Sequence, residues 1–305
     1  MHRIVSLLPS ATEIVCALGF EADLVGRSHE CDYPPGVERL PVLTAPKFNP
    51  ERPSADVDRE VRRIVGDALS IYRVDTGKLR ELAPDVIVTQ SQCEVCAVSE
   101  RDVEEAVAGW LGERPRIVSL KPYRLSDIFA DIERAARALG QPARGAAVVG
   151  ELSARMDAVA ARTRRIRERP RVACIEWLDP LMAAGNWMPE LVEMAGGENL
   201  FGAPGEHSGG LDYDALVASD PDLIVAAPCG FTMRRTLEEL PALAARPGWA
   251  AMRAVREGRV FAAEGSQYFN RPGPRIAESL EILAEIIHPG LFRFGYEGRA
   301  WRRAA

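Results

Sequence analysis

RVACIEWLDPLMAAGNWMPELVEMAGGEN, residues 171–199, reads as strand, long loop, helix and glycine stop. Arg171 to Ile175 is β-rich and follows Pro170. Glu176 to Trp187 is a loop carrying two Trp, a Glu and an Asn. Pro189 to Ala195 predicts a helix with proline in its first turn, closed by Gly196-Gly197. The same plan opens the chain: Arg3 to Leu7 as strand, Leu8-Pro9-Ser10 as loop, Ala11 to Leu18 as helix, Gly19 as stop. One unit used twice predicts two lobes of one design.

A second repeat supports this. Leu82 to Cys93 and Val217 to Cys229 each run from a helix end through Pro-Asp into a buried-type strand and a polar loop with Cys. Strands alternating with helices at this spacing predict an α/β protein with Rossmann-like lobes and parallel sheets. Between the halves lies the longest helical pattern, Ala143 to Arg169, with Val148, Val149, Leu152, Met156, Val159 and Ile166 near one side. At 1.5 Å per residue it would span roughly 40 Å, a stiff rod able to join two lobes. The expected division is 1–141 for the first lobe, 142–169 for a single linker helix and 170–305 for the second lobe. Leu40 to Pro53 is proline-rich with little periodicity, and the tail after Pro289 has no clear pattern.

The chain of 305 residues is long enough for one large domain or two ordinary ones. Its net charge of −6 argues against nucleic acid or an acidic membrane as partner. No apolar run approaches the roughly 20 residues that a membrane span needs. Met1-His2-Arg3 leads directly into the first strand, and Ser6, Pro9, Ser10 and Thr12 interrupt any apolar signal core. As written, the sequence predicts a cytoplasmic protein; a periplasmic or cell-surface location would require a trimmed N-terminus.

Phosphate-binding fingerprints are absent: the first strand leads into LPSAT, not G-x-G-x-x-G, and no G-x-x-x-x-G-K-[ST] occurs; the nucleophile elbow G-x-S-x-G is absent too. Cys93-x-x-Cys96 is the sharpest chemical signal, because two thiols at this spacing can share one metal or form a redox pair. A four-ligand site would need further donors from His29, Cys31, His207 or Cys229, all in predicted loops. Plain structural cysteines are the competing reading. Glu176 and Asp179 could pair as acid and base, although a solvated or ligand-orienting role suits them better. Aromatic residues are the steadier feature. Tyr33, Tyr123, Trp177, Trp187, Phe231, Tyr268 and Phe269 follow predicted strands or open helices, and in a cleft would form flat apolar walls for a large planar ligand.

RIVSLLPSATEIVCALG (3–19), GRSHECDYP (26–34), LAPDVIVTQ (82–90), EMAGGENLFG (193–202), SDPDLIVAAPCG (219–230) and RPGPRIAESLEILAEIIHP (271–289) together resemble the substrate-binding proteins of ABC importers for vitamin B12, haem and ferric siderophores. The chain is most similar to the cobalamin-binding branch. The resemblance covers nearly its whole length, with the motifs in the family's order. It implies a non-enzymatic protein of two lobes joined by one long helix, with a corrinoid or related metal chelate held in a cleft between them. It also implies that Ser10, Tyr33, Trp177, Trp187, Phe231 and the loop Tyr268, Phe269, Asn270 and Arg271 face the ligand. Cys93, Cys96, Cys229, His29 or His207 could supply a ligand to the metal.

Two features depart from the family pattern. No export signal is read. Of the two docking glutamates that would engage an ABC permease, Gly77 stands at one position and Asp214 at the other. An intracellular corrinoid receptor or chaperone therefore accompanies the importer reading. The alternatives are a metal-dependent or thiol enzyme built on Cys93 and Cys96, and a haem or ferric-siderophore binding protein.

Overall fold

The computed structural model describes residues 2–67, 70–91, 100–108 and 115–304. The chain divides into two compact units. One comprises Met1–Arg52, Asp56–Pro122 and Ser126–Gly150; the other comprises Pro53–Ala55, Tyr123–Leu125 and Glu151–Ala305.

The first half of the chain runs β1 (Ile4–Ser6), α1 (Pro9–Ala17), β2 (Leu24–Arg27), β3 (Thr44–Pro46), α2 (Ser54–Gly66), β4 (Tyr72–Val74), α3 (Thr76–Leu82), β5 (Val86–Gln90), α4 (Glu100–Val107), β6 (Arg116–Leu120), α5 (Leu125–Ala138) and α6 (Pro142–Thr163). Four strands pair in parallel in the order β2-β1-β5-β6. All five residues of β5 are buried, which is why VIVTQ shows no polar alternation. Val5, Leu7, Ile64, Leu79, Ile87 and Val103 share the core of this unit. The proline-rich stretch predicted as loop contains β3, which pairs antiparallel with β4. Three residues are too few to show a period. α5 begins at Leu125, which places Ser126 inside its first turn.

The second half runs β7 (Arg171–Trp177), β8 (Met182–Ala183), α7 (Met188–Met194), β9 (Glu198–Asn199), β10 (Gly209–Gly210), α8 (Tyr213–Ser219), β11 (Leu223–Ala226), α9 (Met233–Ala244), α10 (Arg253–Arg256), β12 (Val260–Ala263), α11 (Ile276–Ile287) and β13 (Trp301–Arg303). Its sheet order is β10-β8-β7-β11-β12-β13, with β9 also on β7. The parallel set β9-β7-β11-β12 has the same order as β2-β1-β5-β6. To this parallel set the second sheet adds antiparallel members: β8 on β7, and β13 on β12. Both additions are two or three residues long and read as loop or tail in sequence.

The duplication extends to single hydrogen bonds. Arg3 N donates to Asp85 Oδ2 at 2.9 Å, and Arg171 N donates to Asp222 Oδ2 at 2.8 Å. The guanidinium of Arg3 reaches Leu82 O, and that of Arg171 reaches Ser219 O. Asp75 and Asp212 cap α3 and α8 by accepting from backbone amides three residues on. The glycine stops match too: Gly19 and Gly196 take φ of 85° and 86°, a left-handed conformation that ends each helix without a Cβ penalty.

α6 was expected to continue to Arg169 and stops at Thr163. The Thr163 hydroxyl donates to Met194 O at 2.7 Å, turning the chain toward α7. An arginine-rich run and Pro170 then offer no apolar face to continue the helix. The division between the two units falls inside α6, between Gly150 and Glu151.

α11 is buried on nearly every side. Such a helix must satisfy any acid it carries. Glu281 takes a two-pronged ion pair from Arg155 and a 2.8 Å hydrogen bond from Tyr296 Oη. Glu285 accepts from Gly295 N, Tyr296 N and Trp301 Nε1. The tail that looked patternless is thus fastened to α11 and completes the sheet as β13.

Candidate ligand-binding site

In the first unit the loop after β1 and the loop after β2 are locked by small polar groups. Thr12 Oγ1 lies 2.8 Å from Ser6 Oγ and 3.0 Å from Cys31 Sγ, and Ser28 Oγ lies 3.2 Å from the same sulfur. Cys31 is therefore a packed thiol of the loop. Ser10 sits in the first turn of α1. Its hydroxyl is buried and, among the described residues, lacks a hydrogen-bond partner. A buried hydroxyl at a helix N-terminus is disposed to meet a polar ligand atom. Tyr33 is 41% exposed, so its ring is available at the surface.

His29 faces inward. Its Nδ1 lies 2.8 Å from Thr44 Oγ1, and its ring is 5.6 Å from that of Tyr72. Burial and then the Arg27 charge lower its pKa to about 4, so the imidazole is neutral near pH 7.

In the second unit three loops meet after β7, β11 and β12. Cys229 N donates to Glu176 O, and Ser266 N donates to Phe231 O. The Asn270 amide donates to both Ala227 O and Gly265 O at 3.1 Å. Gly265 passes so close to the β11 loop that a Cβ there would lie 2.1 Å from Pro228 O. Asn270 thus holds backbone together and offers no donor to a ligand in this arrangement. Trp177 is half-buried, its indole N–H bonded to Asp179 O at 3.0 Å, and it packs edge-on against Phe231 at 5.2 Å. Tyr268 is likewise half-buried, with the Arg275 guanidinium 5.2 Å from its ring centre.

Several residues expected to form ligand walls are core residues. Phe231 is 1% exposed and packs with Ile175, Leu178 and Leu240 beneath the Arg235 guanidinium. Phe269 and Trp187 are also buried, the Trp187 indole donating to Phe269 O. Arg271 is buried as well. The three aromatics are covered by neighbouring segments of the chain. Tyr33, Trp177 and Tyr268 keep accessible surface.

Sequence reading missed Ser208. Its hydroxyl accepts from Gly185 N at 2.9 Å and hydrogen-bonds Glu176. Burial raises the Glu176 pKa, while Ser208 and the His207 charge pull it back. His207 itself is exposed, with Nδ1 3.0 Å from Ser208 O. Nothing in the spacing of Glu176 and Ser208 announces that the long-range pairing of β10 with β8 brings them together.

Cys93 and Cys96 lie outside the described residues. Of the other metal candidates, His29 belongs to the first unit, and His207 and Cys229 to the second. Among the described residues no three His, Cys, Asp or Glu side chains gather as a metal site.

The periplasmic binding protein family profile matches residues 4–266. The chain belongs to the periplasmic binding protein family. Its relatives in the family include an ABC transporter substrate-binding lipoprotein of Bacillus subtilis, YvrC, 24% identical and covering 95% of this chain and 81% of that one. The vitamin B12-binding protein of Vibrio vulnificus is 21% identical, covering 93% and 89%. Among solved structures, the periplasmic haem-binding protein RhuT of Roseiflexus superposes with a TM-score of 0.70 at 22% identity, covering 95% of this chain and 99% of that one. These relatives are substrate-binding proteins, and the metal-dependent or thiol-enzyme alternative finds no support among them. Among the described residues, no helix is long and apolar enough to cross a membrane.

Proposed function

We propose that this protein binds a corrinoid, or a closely related metal chelate, as the substrate-binding component of an ABC importer. The family match over residues 4–266 carries the reading, and the vitamin B12-binding relative supports the choice of ligand. Tyr33, Trp177 and Tyr268 would contribute apolar faces to the macrocycle. The Ser10 hydroxyl would meet an amide of its rim. Binding would draw on burial of apolar area at roughly 25 cal/mol per Å², less the cost of association. An ABC permease is the expected partner, with exposed Asp214 on α8 as one docking charge.

Haem is the second reading, favoured by the superposition on a haem-binding protein. An exposed phenol such as Tyr33 is a competent axial ligand for haem iron.

Calorimetric titration with cyanocobalamin, hydroxocobalamin and haemin, with visible spectra alongside, separates these. One-to-one binding of cobalamin in preference to haemin supports the corrinoid reading, and the reverse order supports haem. Absence of binding to all three at tens of micromolar would remove both. Tyr33→Ala is expected to weaken the preferred ligand roughly tenfold or more, as loss of one buried aromatic face implies. Cell fractionation tests location. Recovery with the periplasm or cell surface fits an importer's receptor, and recovery in the cytosol fits an intracellular corrinoid carrier.

A further inference from the structure

In the second unit, the segment that follows α11 leaves two large apolar side chains at the surface. Leu291 and Phe294 are each 39% exposed, and among the described residues only Tyr33, Val65 and Tyr123 are comparable. Phe294 belongs to a column of rings. It stacks on Phe292 at 5.7 Å and stands 6.5 Å from Tyr296. Phe292 and Tyr296 are buried, so the outermost ring is backed by fixed neighbours.

Arginines bracket this column. The Arg162 guanidinium lies 4.2 Å from the Phe292 ring centre and donates to Leu291 O, and that of Arg299 lies 4.7 Å from the Tyr296 ring centre. Arg164 N still bonds Ala160 O and Ile166 N bonds Thr163 O, so the chain keeps its helical turn just past the end of α6. Arg165, three residues after Arg162, therefore lies on the same side. All three arginines are exposed, and among the described residues no carboxylate pairs with them. The acids of α11 are committed elsewhere: Glu281 to Arg155 and Tyr296, and Glu285 to the tail amides and Trp301. Residues 291–302 add one acid, Glu297, against Arg293, Arg299 and Arg302.

The net charge of −6 argues against an acidic membrane for the chain as a whole. Exposed charges more than about 10 Å apart are largely screened at physiological salt, so the local cluster decides what this face attracts. A nucleic acid would need the cations alone. Cations beside a protruding leucine and phenylalanine suit a surface that is anionic outside and apolar beneath.

We propose that this face docks on an anionic phospholipid bilayer, with Arg162, Arg165 and Arg299 among the lipid phosphates and Leu291 and Phe294 entering the boundary between headgroups and acyl chains.

The test is sedimentation of the full chain with large vesicles of phosphatidylcholine, alone or mixed with phosphatidylglycerol. Binding is expected only with the anionic lipid, and it weakens as salt rises. Arg165→Ala and Arg299→Ala are each expected to weaken it about fivefold, while Arg63→Ala, at an exposed position of the first unit, leaves it unchanged. Leu291→Ser and Phe294→Ser are each expected to weaken it about tenfold, the loss of one inserted apolar side chain. Leu291→Ser is expected to keep the melting temperature, which separates lost insertion from lost folding. The proposal is overturned by an absence of binding to the anionic vesicles, or by equal binding to phosphatidylcholine alone. It is equally overturned if Arg63→Ala costs as much as Arg165→Ala. Serine variants that bind vesicles as the parent does, together with displacement by duplex DNA, would overturn it in favour of a nucleic-acid surface.

Discussion

Asp131 shows how one buried residue sets a pH dependence. It is 1% exposed, accepts from Lys121 N at 2.8 Å and pairs with Arg134. Burial outweighs those partners and raises its pKa from 3.8 to about 6. The folded state then holds the proton more tightly than the unfolded chain. The stabilisation this gives is complete below pH 3.8 and is lost as pH rises through about 6. His29 acts in the opposite sense. Its pKa falls from 6.5 to about 4, so its contribution is present above pH 6.5 and is lost as pH falls toward 4. Urea midpoints between pH 4 and pH 7 should separate the two. Asp131→Asn is expected to remove the decline toward neutral pH, and His29→Gln to remove the decline toward acid. A pH profile unchanged by either variant would contradict the assignment. Neither residue's burial was legible from its own position. Asp131 sits in an ordinary amphipathic helix, and His29 in a polar loop.

Among the elements, the C-terminal segment depends most on one side chain. Glu285 accepts three hydrogen bonds from Gly295, Tyr296 and Trp301. Hydrogen bonds to a buried charge are each worth about 1.5–3 kcal/mol. Glu285→Ala is therefore expected to cost at least about 2 kcal/mol. Hydrogen exchange should rise at the amides of Tyr296 to Arg303 before the rest of the sheet. Uniform exchange across the protein would show that this tail is held by other contacts. The strand-to-loop junctions offer a second case. Gly202 has φ of +77°, and a Cβ there would lie 2.2 Å from Ala184 O. Gly202→Ala is expected to lower stability by about 1–3 kcal/mol from backbone strain alone, and more if the contact cannot relax. Equal thermal midpoints would sink that account. The repeated helices and Pro-Asp strands were readable because each carries a local signal: cap, period, punctuation. β3, β8, β10 and β13 were not, because strands this short acquire their identity only from the partner they pair with.

Across the whole molecule, the long helix α6 is one continuous rod of 22 residues shared between the two units. The arginine-rich run after it, 164–169, lies outside any helix and is largely exposed. Trypsin is expected to cut there before it cuts at Arg144, Arg155 or Arg162 within α6, because cleavage needs an extended chain and helix interiors open least. Early cleavage inside α6 would show that the rod is not a stable element. The sequence by itself determined the α/β class, the internal duplication, the position of the long helix and the family. Those rest on local periodicity, capping and turn chemistry, which are properties of neighbouring residues. Tertiary structure alone decided the rest. It buried Phe231, Phe269, Trp187 and Arg271, committed the Asn270 amide to backbone carbonyls, and tied Glu281 and Glu285 to the tail. It also left Tyr33, Trp177 and Tyr268 with accessible faces. Whether an aromatic or a carboxylate faces solvent depends on which distant segment packs over it, and such packing is fixed by long-range burial and hydrogen-bond satisfaction.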